Sequence, residues 1–155
     1  MTFVQMVFCA IFGYLVGGFS SAITISLARN KQDVRSVGSG NAGATNMLRN
    51  FGWRAGLLTF GCDVLKGALA TAMGLWSFGP DGAVICGVAA VVGHTYPIYY
   101  GFKGGKGISA TVGMMLVLAP KIMIITIVLG VIVIYFTRIV SIGSLLGNVA
   151  LVVLS

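Results

Sequence analysis

Between Gly38 and Arg49 the chain reads G-S-G-N-A-G-A-T-N-M-L-R, and between Phe102 and Gly107 it reads F-K-G-G-K-G. These are residue types that can hold an anion. Glycine lets backbone N–H groups approach a ligand closely, and successive N–H groups form a concave nest for negative charge. In the first motif Gly38, Gly40 and Gly43 give that access, Ser39 and Thr45 add hydroxyls, and Asn41 and Asn46 add amides. Arg49 adds a planar cation that can grip a phosphate or carboxylate with two parallel bonds. In the second motif Lys103 and Lys106 flank Gly104 and Gly105. Gly107 then precedes a predicted helix whose free N–H groups would face the same anion. The nucleotide-loop pattern G-x-x-x-x-G-K-[ST] is absent.

A plainer reading stands beside each motif. Small residues also permit close helix contacts in membranes, and lysines next to apolar segments also reach for lipid headgroups. Close packing accounts for the glycines and alanines of the first motif. It does not account for Arg49 beside two asparagines.

Three more polar residues lie in apolar surroundings. Asp63 and Lys66, three apart on one face of a predicted spanning helix, can pair with each other. Charges in a spanning helix face the protein interior, as structural partners or as ligands. His94, before Tyr96-Pro97, could donate to a phosphate or bond to neighbouring backbone. No Ser-His-Asp order, H-x-x-x-x-D pattern or metal-ligand spacing is present, so neither cofactor nor metal is expected. Cys9, Cys62 and Cys86 sit in apolar sequence and read as inert buried thiols.

The elements that must carry these residues are membrane helices. The chain is 57% hydrophobic and 8% charged, where a soluble domain carries about 25% charged residues; its mean hydropathy is +1.01. Apolar spans are predicted at about Phe3 to Ala28, Ala55 to Phe78, Ala83 to Tyr100, Ile122 to Phe136 and Ile139 to Ser155, with a short helix at about Ile108 to Ala119. Gly79-Pro80-Asp81-Gly82 reads as a turn. The first span lacks a basic leader and is too long for a signal peptide, so it reads as a retained helix. The expectation is an all-α integral membrane protein, a bundle of about six membrane helices forming a single domain over 1–155 with glycine-rich cytoplasmic loops.

The net charge of +7 resides in short loops, which argues against nucleic acid and for anionic headgroups and a phosphorylated substrate. Arg29, Lys31, Arg35, Arg49 and Arg54 oppose only Asp33 in one loop; Lys103 and Lys106 occupy a second, and Arg138 lies two crossings on. If basic loops are cytoplasmic, the N-terminus is outside and both motifs share one face. Lys121 is the dissenting charge.

The run G-S-G-N-A-G-A-T-N-M-L-R, then D-V-L-K-G at Asp63 to Gly67, then G-H-T-Y-P-I-Y-Y-G-F-K-G-G-K-G, resembles the acyl-phosphate:glycerol-3-phosphate acyltransferases of bacterial membrane phospholipid synthesis. The resemblance covers essentially the whole chain. It implies acyl transfer from acyl phosphate to the 1-hydroxyl of sn-glycerol 3-phosphate in the bacterial cell (inner) membrane, giving lysophosphatidic acid and phosphate, with the substrate's own phosphate taking the hydroxyl proton. It carries Ser39, Arg49 and Lys106 over as catalytic residues. The remaining motif residues, with Lys66 and His94, are expected to bind substrate. The family continues through a further crossing and a cytoplasmic tail bearing His, Asn and Glu. His94 is the only histidine here and glutamate is absent, so that final helix and tail are expected to be missing. Three readings follow: an acyltransferase, a non-enzymatic paralogue that binds anions or packs against a partner, and last a small anion channel or transporter, which the clustering of polar residues on one face disfavours. Oligomeric state cannot be read from the sequence.

Overall fold

The fold comes from a computed structural model that describes residues 1–137; the predicted segment from Ile139 to Ser155, with Arg138, lies outside them. Every regular element among the described residues is helical. They are α1 (Phe3–Gly18), α2 (Ser21–Asn30), α3 (Ala44–Phe51), α4 (Trp53–Thr95), α5 (Ile108–Leu118) and α6 (Pro120–Thr137), with 3-10 turns at Val34–Ser36 and Ile98–Tyr100. Three stretches are long and apolar enough to cross a membrane: Phe3–Asn30, Trp53–Tyr100 and Pro120–Thr137. The chain forms two compact units, Met1–Leu118 and one beginning at Ala119. The first holds both glycine-rich motifs. The second holds α6, an apolar helix begun by Pro120, where a missing N–H costs nothing.

The first predicted span is in fact two helices. Thr2 opens α1 with a reciprocal cap: its hydroxyl accepts from Gln5 N at 3.3 Å and its own N–H donates to Gln5 Oε1 at 2.8 Å. Phe19 then leaves the helix with extended backbone, and Ser20 caps α2 by accepting from Ile23 N at 3.4 Å. The break frees the Phe19 carbonyl, which accepts from Lys66 Nζ at 2.6 Å. An unpaired carbonyl in an apolar environment costs several kcal/mol, so Lys66 replaces the bond the helix lost. The break and the buried lysine explain each other.

Helix α4 is a hairpin. Gly79 adopts φ 71°, ψ −161°, a conformation open to glycine and costly for other residues. Pro80 already starts the second arm, where its ring suits the first helical turn. The expected four-residue turn is therefore concentrated at one residue. The arms, 53–78 and 80–95, run back side by side: Gly74 backs onto Gly82, Gly87 onto Thr71, and Asp63 reaches His94. Helix α1 docks on the second arm, Gly13 against Cys86 and Gly17 against Ala90; α5 crosses the first arm, where Gly67 meets Ala110 and Gly113 meets Val64. A Cβ on any of these glycines would overlap facing atoms, mostly backbone. Lipid tails are as apolar as side chains, so close backbone packing rather than hydrophobic exclusion holds such helices together. Large apolar residues such as Leu57, Leu65, Trp76, Val84 and Val88 are turned outward. All three cysteines are free thiols, Cys9 and Cys86 buried and Cys62 half-buried.

The segment between Asn30 and Trp53, expected as a loop, contains a helix of its own. Lys31 ends α2 in the left-handed conformation. The chain then wraps a small core of Ala22, Ile23, Val34, Ala42, Met47 and Ala55, with α3 covering it. This polar lobe carries the first motif.

Candidate active site

The first motif is shaped by Asn46. Its side chain is buried, its Nδ2 donates to Val34 O at 3.0 Å and Val37 O at 3.1 Å, and its Oδ1 accepts from Ser39 N at 3.1 Å and Asn50 Nδ2 at 2.9 Å. Val34 is fixed in turn, its N–H donating to Ser26 Oγ at 3.1 Å. Gly38 turns at φ 58°, and a Cβ there would overlap Asn46 Oδ1 and Asn50 Nδ2. The motif thus curls around one amide. Replacing Asn46 by alanine removes one of two bonds from each of two carbonyls, which keep their turn bonds from Val37 N and Gly40 N, and leaves the Ser39 N–H without its protein partner. It is expected to destabilise the fold by about 1–3 kcal/mol, read as thermal unfolding in detergent. Asn46→Asp should be no milder, because a carboxylate cannot donate to Val34 O or Val37 O.

The second motif folds back on the end of α4. Gly104 N donates to Thr95 O at 3.2 Å, Gly105 N to His94 O at 3.1 Å, and Phe102 N to Pro97 O at 2.9 Å. Gly105 rests against the Nε2 edge of His94. Two links then join the motifs. Ala42 N donates to Gly104 O at 3.3 Å, and Arg35 Nη1 donates to Tyr100 O at 2.8 Å. Asp33 grips Arg35 through Nε and Nη2 of its guanidinium, with Nη2 to Oδ2 at 2.7 Å. The hydrogen-bonded guanidinium holds the Asp33 carboxyl below its ordinary range. The sign follows: the pair's contribution is present above the ordinary carboxylate pKa and is lost as pH falls through the depressed one.

Around this junction the expected site residues divide into two groups. Arg49, Lys103 and Lys106 are exposed, and none has a side-chain hydrogen bond or ion pair among the described residues; the same holds for the side chains of Ser39, Asn41 and Thr45. Gly43 begins α3 with no side-chain cap, so the first N–H groups of that helix are open to an anion. Gly40 is exposed and Gly107 buried, both with positive φ. Asn46, Lys66 and His94 are buried and already engaged. Lys66 Nζ lies 3.0 Å from Asp63 Oδ1, and His94 Nδ1 lies 3.6 Å from the same oxygen.

Sequence reasoning did not single out Ser26, Asn50, Tyr100 or the Asp33–Arg35 pair as site supports. The D-x-R spacing was a usable signal, because an aspartate can cap the N–H two residues on while pairing with that residue's side chain. Asn50 lies one helical turn after Asn46, but that spacing has meaning only once α3 is known.

A family model described as "Glycerol-3-phosphate acyltransferase" matches residues 7–155. The glycerol-3-phosphate acyltransferase of Thermoanaerobacter pseudethanolicus is 43% identical over 149 residues, covering 96% of this chain and 75% of the relative. That of Finegoldia magna is 41% identical over 153 residues, covering 99% and 77%. The chain belongs to the glycerol-3-phosphate acyltransferase family. Solved structures agree. The crystal structure of PlsY (YgiH), an integral membrane glycerol 3-phosphate acyltransferase, in its glycerol 3-phosphate form superposes with a TM-score of 0.88 at 34% identity, covering 94% of this chain and 74% of that one. Its lysophosphatidic acid form gives 0.83 at 32% identity, covering 94% and 73%. The resemblance carried by the motifs therefore extends over nearly all of this chain and about three quarters of its relatives' length, helical membrane architecture included.

Proposed function

We propose that the chain transfers an acyl group from acyl phosphate to the 1-hydroxyl of sn-glycerol 3-phosphate, releasing lysophosphatidic acid and inorganic phosphate. The observation that carries this is the junction of the two motifs. Lys103 and Lys106 flank Gly104 in the chain, the uncapped start of α3 follows Ala42, and Arg49 stands in the last turn of α3, three cations without a side-chain partner among the described residues, at the end of a helical hairpin whose outer surface suits lipid. Two phosphorylated substrates, one with a long apolar tail, need that combination. The close relatives' shared name supports glycerol 3-phosphate as the acceptor.

Acyl phosphate is an activated mixed anhydride, so positioning and electrostatics suffice without a covalent nucleophile. The acceptor hydroxyl oxygen bonds to the acyl carbon, the bond from that carbon to the phosphate oxygen breaks, and the hydroxyl proton passes to a phosphate oxygen. Arg49 and Lys106 offset phosphate charge. Ser39, Asn41 and Thr45, with the open N–H groups of α3, orient the donor, and Lys103 adds to the field. Asn46 holds the first motif in shape, while Lys66 and His94 act from beneath the second. Both motifs face the cytoplasm of the bacterial inner membrane, as their positive charge favours.

Purified protein in detergent, given palmitoyl phosphate and labelled glycerol 3-phosphate, should yield labelled lysophosphatidic acid. Palmitoyl-CoA in place of palmitoyl phosphate should yield none. Product from the thioester at a comparable rate would overturn the donor assignment; no product from either would overturn the activity.

A further inference from the structure

Beneath the second motif lies a buried carboxylate that the chemistry above does not use. Asp63 is 1% exposed in the middle of the first α4 arm. Its Oδ1 forms an ion pair with Lys66 Nζ at 3.0 Å and faces His94 Nδ1 at 3.6 Å, while neither of its oxygens has a well-aligned hydrogen-bond partner among the described residues. Desolvating such a group is costly, and a buried ion pair is weak grounds for stability. Glycine contacts already join the two arms on the turn side of this group, at Gly74–Gly82 and Thr71–Gly87. Holding the arms together therefore does not explain the carboxylate.

Its placement does. The imidazole of His94 lies between Asp63 and the second motif, with Nδ1 toward the carboxylate and Nε2 against Gly105. The His94 carbonyl receives the Gly105 N–H, and the next carbonyl, Thr95 O, receives that of Gly104. A carboxylate beside Nδ1 favours the tautomer protonated there and fixes the ring's plane. Lys66 pairs with the same carboxylate oxygen while bonded to Phe19 O. We infer that Asp63 is a positioning residue for the transfer reaction: through His94 it fixes the surface on which Gly104 and Gly105 lie, and thereby the place of Lys106. The inference rests on the function proposed above for Lys106.

Hydrogen exchange tests it without substrate. In Asp63→Asn, which keeps the side chain's shape, the Gly104 and Gly105 amides should exchange about tenfold faster, with Tyr96 and the α1 amides unchanged. The turnover number should fall by about tenfold or more, as small misplacements of a binding group do. Should Asp63→Asn not accumulate, His94→Phe keeps a ring in place, removes the Nδ1 contact and should show the same local loss of protection. Unchanged protection of Gly104 and Gly105 in whichever variant folds overturns the inference, as does exchange that rises equally throughout α1 and α4. An inactive wild type would overturn the proposed function instead, and the exchange result would still decide the role of Asp63.

Discussion

Lys106→Ala and Arg49→Ala should each lower acyl transfer by about 10²–10³-fold while leaving the helical fold intact. The size follows from their setting. Each is exposed and free of protein partners among the described residues, so truncation breaks no internal contact there, and its effect falls on bound phosphate. Removing one preorganised group that stabilises developing negative charge costs about that much in rate. Arg49→Lys separates charge from geometry, because lysine keeps the charge but not the two-pronged donor set. If Arg49 grips a phosphate oxygen pair, the lysine variant should recover only a minor part of the rate. Lysophosphatidic acid formation across a titration of each substrate, with circular dichroism as the check on folding, reads the outcome. Wild-type kinetics in either alanine variant would remove that residue from the site.

The second large effect should come from a methyl group. A Cβ on Gly104 would overlap the carbonyl oxygens of His94 and Thr95 and the ring of Pro97. Backbone at a helix end cannot yield as a flexible side chain does, so the Gly104→Ala motif must lift away. Lifting it breaks the bond from Gly104 N to Thr95 O, which holds the motif to the end of α4, and that from Ala42 N to Gly104 O, which ties the two motifs together. A displacement of about 1 Å in a positioning element can cost 10²-fold in rate, and at least that loss is expected, with helix content unchanged. Gly101 provides the comparison. It has φ 66°, but a Cβ there would meet nothing within 4 Å, so alanine faces only the backbone penalty of about 1–2 kcal/mol. Transfer by Gly101→Ala should stay within about tenfold of wild type by the same rule. Equal losses in the two variants would mean that backbone conformation, not the packing under Gly104, governs the motif.

The membrane class, the helical character and the two anion-seeking motifs were legible in the residues themselves. Apolar runs, glycine-rich polar segments and clustered cations are local properties, and they need no knowledge of what lies opposite. Pro80 and the flanking glycines likewise announced the reversal between the arms of α4, although its concentration at Gly79 depended on which residue took the positive φ. The site roles were legible only as residue types. Serine, asparagine, lysine and histidine could all touch a phosphate, although Lys66 beside Asp63 and the lone His94 also read as structural partners. Burial and hydrogen bonding then separated Asn46, Lys66 and His94, which are spent on the protein, from Ser39, Arg49 and Lys106, which are left open.

Other features were not in the local pattern at all. Helix α3 is short, and its stability comes from covering a core built by distant residues, including Ala22 and Ala55. The break at Phe19 shows little in a run of apolar sequence, because its compensation is a lysine on another helix. Residue types and spacing determined that this chain is a helical membrane protein with phosphate-seeking loops. Tertiary structure alone decided which polar groups are left open, because that depends on which carbonyls and carboxylates packing leaves for each side chain to satisfy.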